Sequence, residues 1–230
     1  MSDRTALVVA SAIDADAGFV GDRLQECGYL LRTVFRDGGG VPTTVAAAGH
    51  PDLVVLLGSE WSVHAPVERD SLEAECALVR SARAAQTPVL GLCYGAQVLA
   101  QAFGGSVTHA RRPEIGFVEV DTADPGLVPA GPWTAFHVDV LEPPADATVV
   151  ARNKCGVQAF VLPGALGVQF HPEVRPDVLD DWSRRFPDLV LDAGLQRTEL
   201  VARARGREDD SRAAAYALVD AFLSRMAPAV

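Results

Sequence analysis

Short apolar runs alternate with amphipathic stretches through the first half of the chain, and this alternation sets the expected architecture. Residues 5–11, 30–35, 53–57 and 89–92 are brief, rich in Val and Leu, and bounded by polar or turn residues, so they predict strands. Residues 17–27 and 70–85 carry apolar side chains at helical spacing. In the second of these, Asp70 is placed to cap the helix with Glu73 three residues on. Leu72, Cys76 and Val79 share one face there, so Cys76 reads as core. A strand–helix–strand rhythm predicts an α/β domain with a mainly parallel central sheet flanked by helices.

The pattern changes after residue 106. Up to residue 170 the chain is richer in short strands and in turn pairs such as Asp124-Pro125, Pro143-Pro144 and Pro163-Gly164, which predicts antiparallel strands added beside the parallel sheet. Beyond Pro172 helical periodicity returns at 176–186, 195–205 and 209–226, broken at Pro187 and Gly206. The triplet Gly38-Gly39-Gly40 precedes Val41-Pro42 and opens no helix, so it reads as a flexible loop and not as a phosphate-binding turn. There is no internal repeat, and 230 residues suit one domain.

Composition narrows the function classes. Hydrophobic residues make up 49% and charged residues 22%, as in a soluble globular protein. No apolar run approaches the roughly 20 residues that span a bilayer, and the N-terminus lacks a secretory pattern, so a cytoplasmic location with no membrane partner is expected. A net charge of −10 argues against a nucleic-acid partner. The four cysteines form no C-x-x-C pair, which predicts neither a disulfide framework nor a zinc site; Cys27, Cys76 and Cys155 read as small core residues. No spacing among His50, His64 and His109 suggests a metal, and no cofactor is implied.

Cys93 is different. An apolar strand runs into Gly91-Leu92-Cys93-Tyr94-Gly95-Ala96-Gln97, where small residues permit a sharp turn into a helix. That arrangement is a nucleophile elbow carrying cysteine, with the sulfur at a helix N-terminus that favours negative charge. A thiolate is the reactive form of cysteine. Much later, Gly167-Val168-Gln169-Phe170-His171-Pro172-Glu173 delivers a histidine at a strand end and a carboxylate two residues on, across a stiffening proline. A histidine general base oriented by a carboxylate completes the logic of a catalytic triad.

Together these segments resemble the class I, or triad, glutamine amidotransferases, whose motifs G-x-C-x-G-x-Q and Q-F-H-P-E are matched residue for residue. The likeness extends through Pro88, Gly104-Gly105 and Glu114-Ile115-Gly116-Phe117, over about residues 5–175, and is greatest to the glutaminase domain of the GMP synthetase type and its free-standing relatives. It implies a flavodoxin-like α/β fold, here a single domain over 1–230 with a C-terminal helical extension at about 176–226. It also implies that Cys93 attacks the glutamine amide carbon, His171 shuttles the proton and Glu173 holds the imidazole. Ser59 and Tyr94 match the oxyanion donors, while Gly58, Gln97, Phe136 and His137 match positions that hold the glutamine head group. One departure stands out: where the family has a Gly-Gly-Pro turn, this chain has Gly58-Ser59-Glu60.

The expected function is therefore hydrolysis of L-glutamine through a γ-glutamyl thioester. The residues after Glu173 are too few for a fused synthetase, so the ammonia is expected to pass to a separate acceptor or synthetase protein. A γ-glutamyl hydrolase or peptidase with the same triad is the alternative enzyme, and a non-catalytic regulatory or scaffold role is a third reading. Trp61 is a further candidate for the pocket lining.

Overall fold

A computed structural model describes residues 4–64 and 69–227 of the chain. Its centre is an eight-stranded sheet with the order β2-β1-β3-β4-β10-β9-β8-β6. The parallel part comprises β1 (Arg4–Ala10), β2 (Tyr29–Phe35), β3 (Leu53–Leu56), β4 (Val89–Leu92) and β10 (Ala165–Val168). Antiparallel pairing then adds β9 (Gly156–Leu162), β8 (Thr148–Asn153) and the short β6 (Asp121–Thr122). The two remaining strands, β5 (Ser106–Val118) and β7 (Trp133–Glu142), form a separate antiparallel ribbon with a register shift between His109 and Glu114. The antiparallel strands expected from the turn-rich section thus divide between an extension of the main sheet and this ribbon.

Alternate side chains of the central strands feed two cores, as the two-residue period of a strand demands. Ala6, Val8, Val55 and Leu90 meet α1 (Gly18–Glu26) and α7 (Glu208–Met226) on one face. Leu7, Val9, Val54 and Val89 meet α2 (Arg69–Ala84) and α3 (Tyr94–Ala102) on the other. On α7, Leu218, Val219 and Phe222 are fully buried, each contributing about 1.5–3 kcal/mol to docking. A third cluster joins α4 (Pro176–Arg185), α5 (Pro187–Asp192) and α6 (Arg197–Gly206) to Ile115 of the ribbon. The sequence periodicity missed α5, whose single turn and a half starts on Pro187, a residue suited to the first helical position.

Several smaller expectations are corrected. Asp70 lies inside the first turn of α2, which begins at Arg69, so it favours the helix through the dipole and is not its cap. The glycine triplet belongs to a short 3₁₀ turn over Asp37–Gly39, with Gly38 and Gly39 at φ 76°, and Asp37 accepts a hydrogen bond from Ala12 N–H. Cys76 is buried, and desolvation pushes its thiol up to about 11, but Cys27 and Cys155 are only half-buried. Among the described residues no helix is long and apolar enough to cross a membrane.

Candidate active site

The strand-to-helix turn after β4 is built by close backbone approach. A Cβ on Gly91 would lie 2.6 Å from Gly95 O, and one on Gly95 would lie 2.2 Å from Leu56 O, so neither position admits a side chain. Cys93 sits between them at φ 50°, ψ −105°, a strained conformation for a residue with a Cβ, and its N–H donates to Val168 O at 2.8 Å. Leu92 and Val168 are register partners in neighbouring parallel strands, so the chain leaves β4 and β10 at the same rung. Cys93 follows one, and the segment carrying His171 follows the other.

His171 is anchored to the ribbon through its N–H, which donates to Thr134 O at 2.7 Å. Its Nδ1 lies 2.7 Å from Glu173 Oε1, and both side chains are buried. Burial disfavours a charged imidazole, but the neighbouring Cys93 and Glu173 overcome it, and His171 is held well above the ordinary histidine range. Nε2 makes no hydrogen bond among the described residues. Glu173 is fixed through its backbone: its carbonyl accepts from Phe19 N–H at 3.0 Å, and a Cβ on Gly18 would come within 1.8 Å of that oxygen. The start of α1 therefore fits against the triad segment only because residue 18 is glycine.

Gly58 closes the other side of the imidazole. A Cβ there would sit 2.8 Å from His171 Cε1 and 3.7 Å from Cys93 Cβ. Gly58→Ala is expected to displace the ring and lower kcat on the order of a hundredfold while leaving the melting temperature nearly unchanged. Parallel turnover and thermal-unfolding measurements check this; unaltered kcat would sink it.

A cleft of about 120 Å³ opens over Cys93, room for about four waters at about 30 Å³ each. Ser59, Tyr94, Gln97, Phe136 and His137, all named from the sequence, line it together with Cys93 and His171, and Trp61 does so too. Gly58 instead borders a second cavity of about 240 Å³ behind the triad, shared with Glu173. Both ring nitrogens of His137 are engaged, Nδ1 with Asp139 O at 2.9 Å and Nε2 with Glu114 Oε2 at 3.0 Å. Burial alone would raise the Glu114 carboxyl, but His137, Cys155 and Asn153 hold it down at about 2. Its charge therefore supports folding at pH above the usual glutamate range, a contribution lost as pH falls through about 2.

The Gly58-Ser59-Glu60 departure has a structural answer. Ser59 Oγ lies 2.8 Å from Ser11 Oγ and accepts from Trp61 N–H at 3.0 Å, so the hydroxyl shapes the turn from within. Beneath it Arg36, fully buried, donates to Gly58 O, Leu57 O and Ser11 Oγ while pairing with the equally buried Glu75.

Other contributors were not singled out from the sequence. Gln169 Nε2 donates to Cys93 Sγ at 3.5 Å and Gln97 Nε2 to Gln169 Oε1 at 3.4 Å, a relay inside the two motifs. From α4, Trp182 packs edge-on against His171 at 4.8 Å between centroids and donates to Asp14 Oδ1 at 2.9 Å. The absence of metal-like spacing among the histidines is also overtaken by the fold, which gathers His64, His109 and Asp139, residues from separate parts of the chain.

A buried cysteine–histidine–glutamate cluster at a strand-to-helix elbow on a mainly parallel sheet is the architecture of a cysteine-dependent amide-processing enzyme. The family model of class-I glutamine amidotransferases matches residues 40–182, more than half of the chain, and the protein belongs to that family. It is 35% identical to a free-standing subunit of the glutamine-hydrolysing GMP synthase of Sulfurisphaera tokodaii, over 54% of this chain and 68% of that one. It is 43% identical to the glutamine-hydrolysing GMP synthase of Aeropyrum pernix over 41% of this chain but only 21% of that longer protein. A glutamine amidotransferase from Thermotoga maritima superposes with a TM-score of 0.84 over 97% of this chain and 99% of that one, at 23% identity, which shows the shared fold.

Proposed function

We propose that this protein hydrolyses the side-chain amide of L-glutamine through a γ-glutamyl thioester on Cys93 and passes the ammonia to a separate synthase chain. The observation that carries the reading is the juxtaposition of Cys93 with a buried imidazole that Cys93 and Glu173 keep charged. Cys93 Sγ attacks the amide carbon, and the carbonyl oxygen gathers negative charge beside the backbone N–H groups of Ser59 and Tyr94. His171, with Nδ1–H directed at Glu173, gives its Nε2 proton to the amide nitrogen as the C–N bond breaks and ammonia leaves. Water then attacks the thioester, returns a proton to His171, and releases glutamate as the C–S bond breaks. Gln169 steadies the sulfur, and Trp182 covers the imidazole. The separate synthase is favoured by the likeness to a chain whose name makes it one subunit of a GMP synthase.

A second reading has its own support. Asp14, Glu60 and Asp139 line the cleft, with no Lys or Arg among its lining residues, so its wall suits an additional ammonium group. A γ-glutamyl amine carries one. Glutamate release from L-glutamine by the purified protein tests the main reading, and Cys93→Ala should lower turnover by about 10⁴-fold or more. Cleavage of γ-glutamyl amines with none of glutamine would favour the second reading. Inertness towards both, with or without a synthase, would leave only a scaffold role.

A further inference from the structure

We propose that His64, His109 and Asp139 form a binding site for a divalent transition-metal ion of the zinc class, at the rim of the active-site cleft. Their potential ligand atoms all lie within 4.8 Å of one another. The His64 and His109 rings are 5.0 Å apart between centroids and tilted by 54°, and His109 Nδ1 lies 2.6 Å from Asp139 Oδ1. Four-coordinate zinc with bonds of about 2.0–2.2 Å sets its ligands about 3.4 Å apart, within the spread seen here. Both imidazoles are exposed, so modest side-chain rotation brings them to that spacing.

The carboxylate points to a cation more strongly than proximity alone. Asp139 is only 4% exposed, yet its Oδ1 makes no hydrogen bond among the described residues, even with the His109 nitrogen so close. The ring N–H is not directed at that oxygen. Two electron-pair donors facing one point are reconciled by a cation between them, and a buried carboxylate oxygen lacking a donor is costly otherwise. Asp139 is also held in place, since its Oδ2 accepts from Ser62 Oγ at 3.4 Å and its carbonyl engages His137. Two imidazoles with one carboxylate select zinc-like ions over magnesium or calcium, which prefer all-oxygen shells. Three protein ligands leave a fourth position for water.

The site has a place in the architecture. His64 ends the stretch that begins at Gly58 and carries Ser59, whereas His109 and Asp139 are register partners on β5 and β7. A bound ion therefore ties the oxyanion loop to the ribbon that forms the opposite wall of the cleft, independently of the substrate the cleft accepts.

The test is titration of the full chain carrying Cys93→Ala, which removes the competing sulfur, with Zn²⁺ by calorimetry and with Co²⁺ by visible absorption. One equivalent per chain is expected, with the intense d–d bands of four-coordinate cobalt. His64→Asn and His109→Asn, both at exposed positions that folding tolerates, should each weaken binding at least about tenfold. The exposed His50→Asn should leave it unchanged. No stoichiometric binding, or binding that survives both His64→Asn and His109→Asn, would overturn the proposal.

Discussion

Arg36→Met is expected to cost about 3–5 kcal/mol of folding stability, a large share of the roughly 5–15 kcal/mol that holds a domain together. The guanidinium and its Glu75 partner are both fully shielded from solvent, with Nε–Oε1 at 3.0 Å and Nη2–Oε2 at 3.2 Å. The remaining donors reach carbonyls at the ends of β1 and β3, and the plane lies 4.9 Å from the centroid of the Tyr94 ring. Methionine fills part of the volume but strands the Glu75 carboxylate and removes a donor from Gly58 O. Chemical denaturation measures the loss as a lower midpoint at constant slope. Pairing Arg36→Met with Glu75→Leu should restore much of it, because no buried charge is then orphaned. A single-variant loss below about 1 kcal/mol would show that the pair contributes little. Turnover should fall in the double variant even where stability recovers, since the oxyanion loop has lost its support.

Glu173→Gln should reduce kcat about 10³–10⁴-fold, with KM changed little, if His171 acts as proposed. An amide keeps the shape but withdraws the negative charge opposite Nδ1 and can present an N–H where an acceptor is needed. The sign in pH follows from the raised affinity of His171 for its proton: activity that needs charged imidazole declines as pH rises through that titration. Without Glu173 one of the two groups opposing desolvation is gone, so the alkaline limb of the profile should move to lower pH. Fluorescence-monitored unfolding should show a fold that persists, separating loss of chemistry from loss of structure. A profile unmoved on its alkaline side would remove Glu173 from any role in tuning His171.

Local grammar made much of this protein legible from its sequence. The β1-α1-β2 and β3-α2-β4 segments announce themselves because each element's hydrophobic period is unbroken, and the elbow announces itself because small residues crowd a cysteine. Arg36 was silent for the opposite reason. A lone arginine after a strand ordinarily reads as a solvated end, and its partner Glu75 sits on a helix whose burial depends on tertiary packing. Trp182 falls on the apolar face of a predictable helix, but periodicity says that a side chain is covered and not what it covers. His64, His109 and Asp139 lacked any local spacing, since a loop and two paired strands meet only once the ribbon folds over the sheet edge. Gln169 lay in plain sight within the histidine motif, where its contact with sulfur had no local signature.

The shared rung of β4 and β10 has a further implication for how such a protein changes over time. Nucleophile and base are launched from adjacent strands whose spacing is set by backbone pairing, while Phe136, His137 and Asp139 in the cleft wall come from the ribbon and Phe186 and Leu189 from the C-terminal helices. Reaction machinery and recognition surface are thus inherited on different pieces of chain. Lineages can remodel the excursion between β4 and β10, or the helices beyond β10, and acquire new preferences without disturbing the atoms that break the bond.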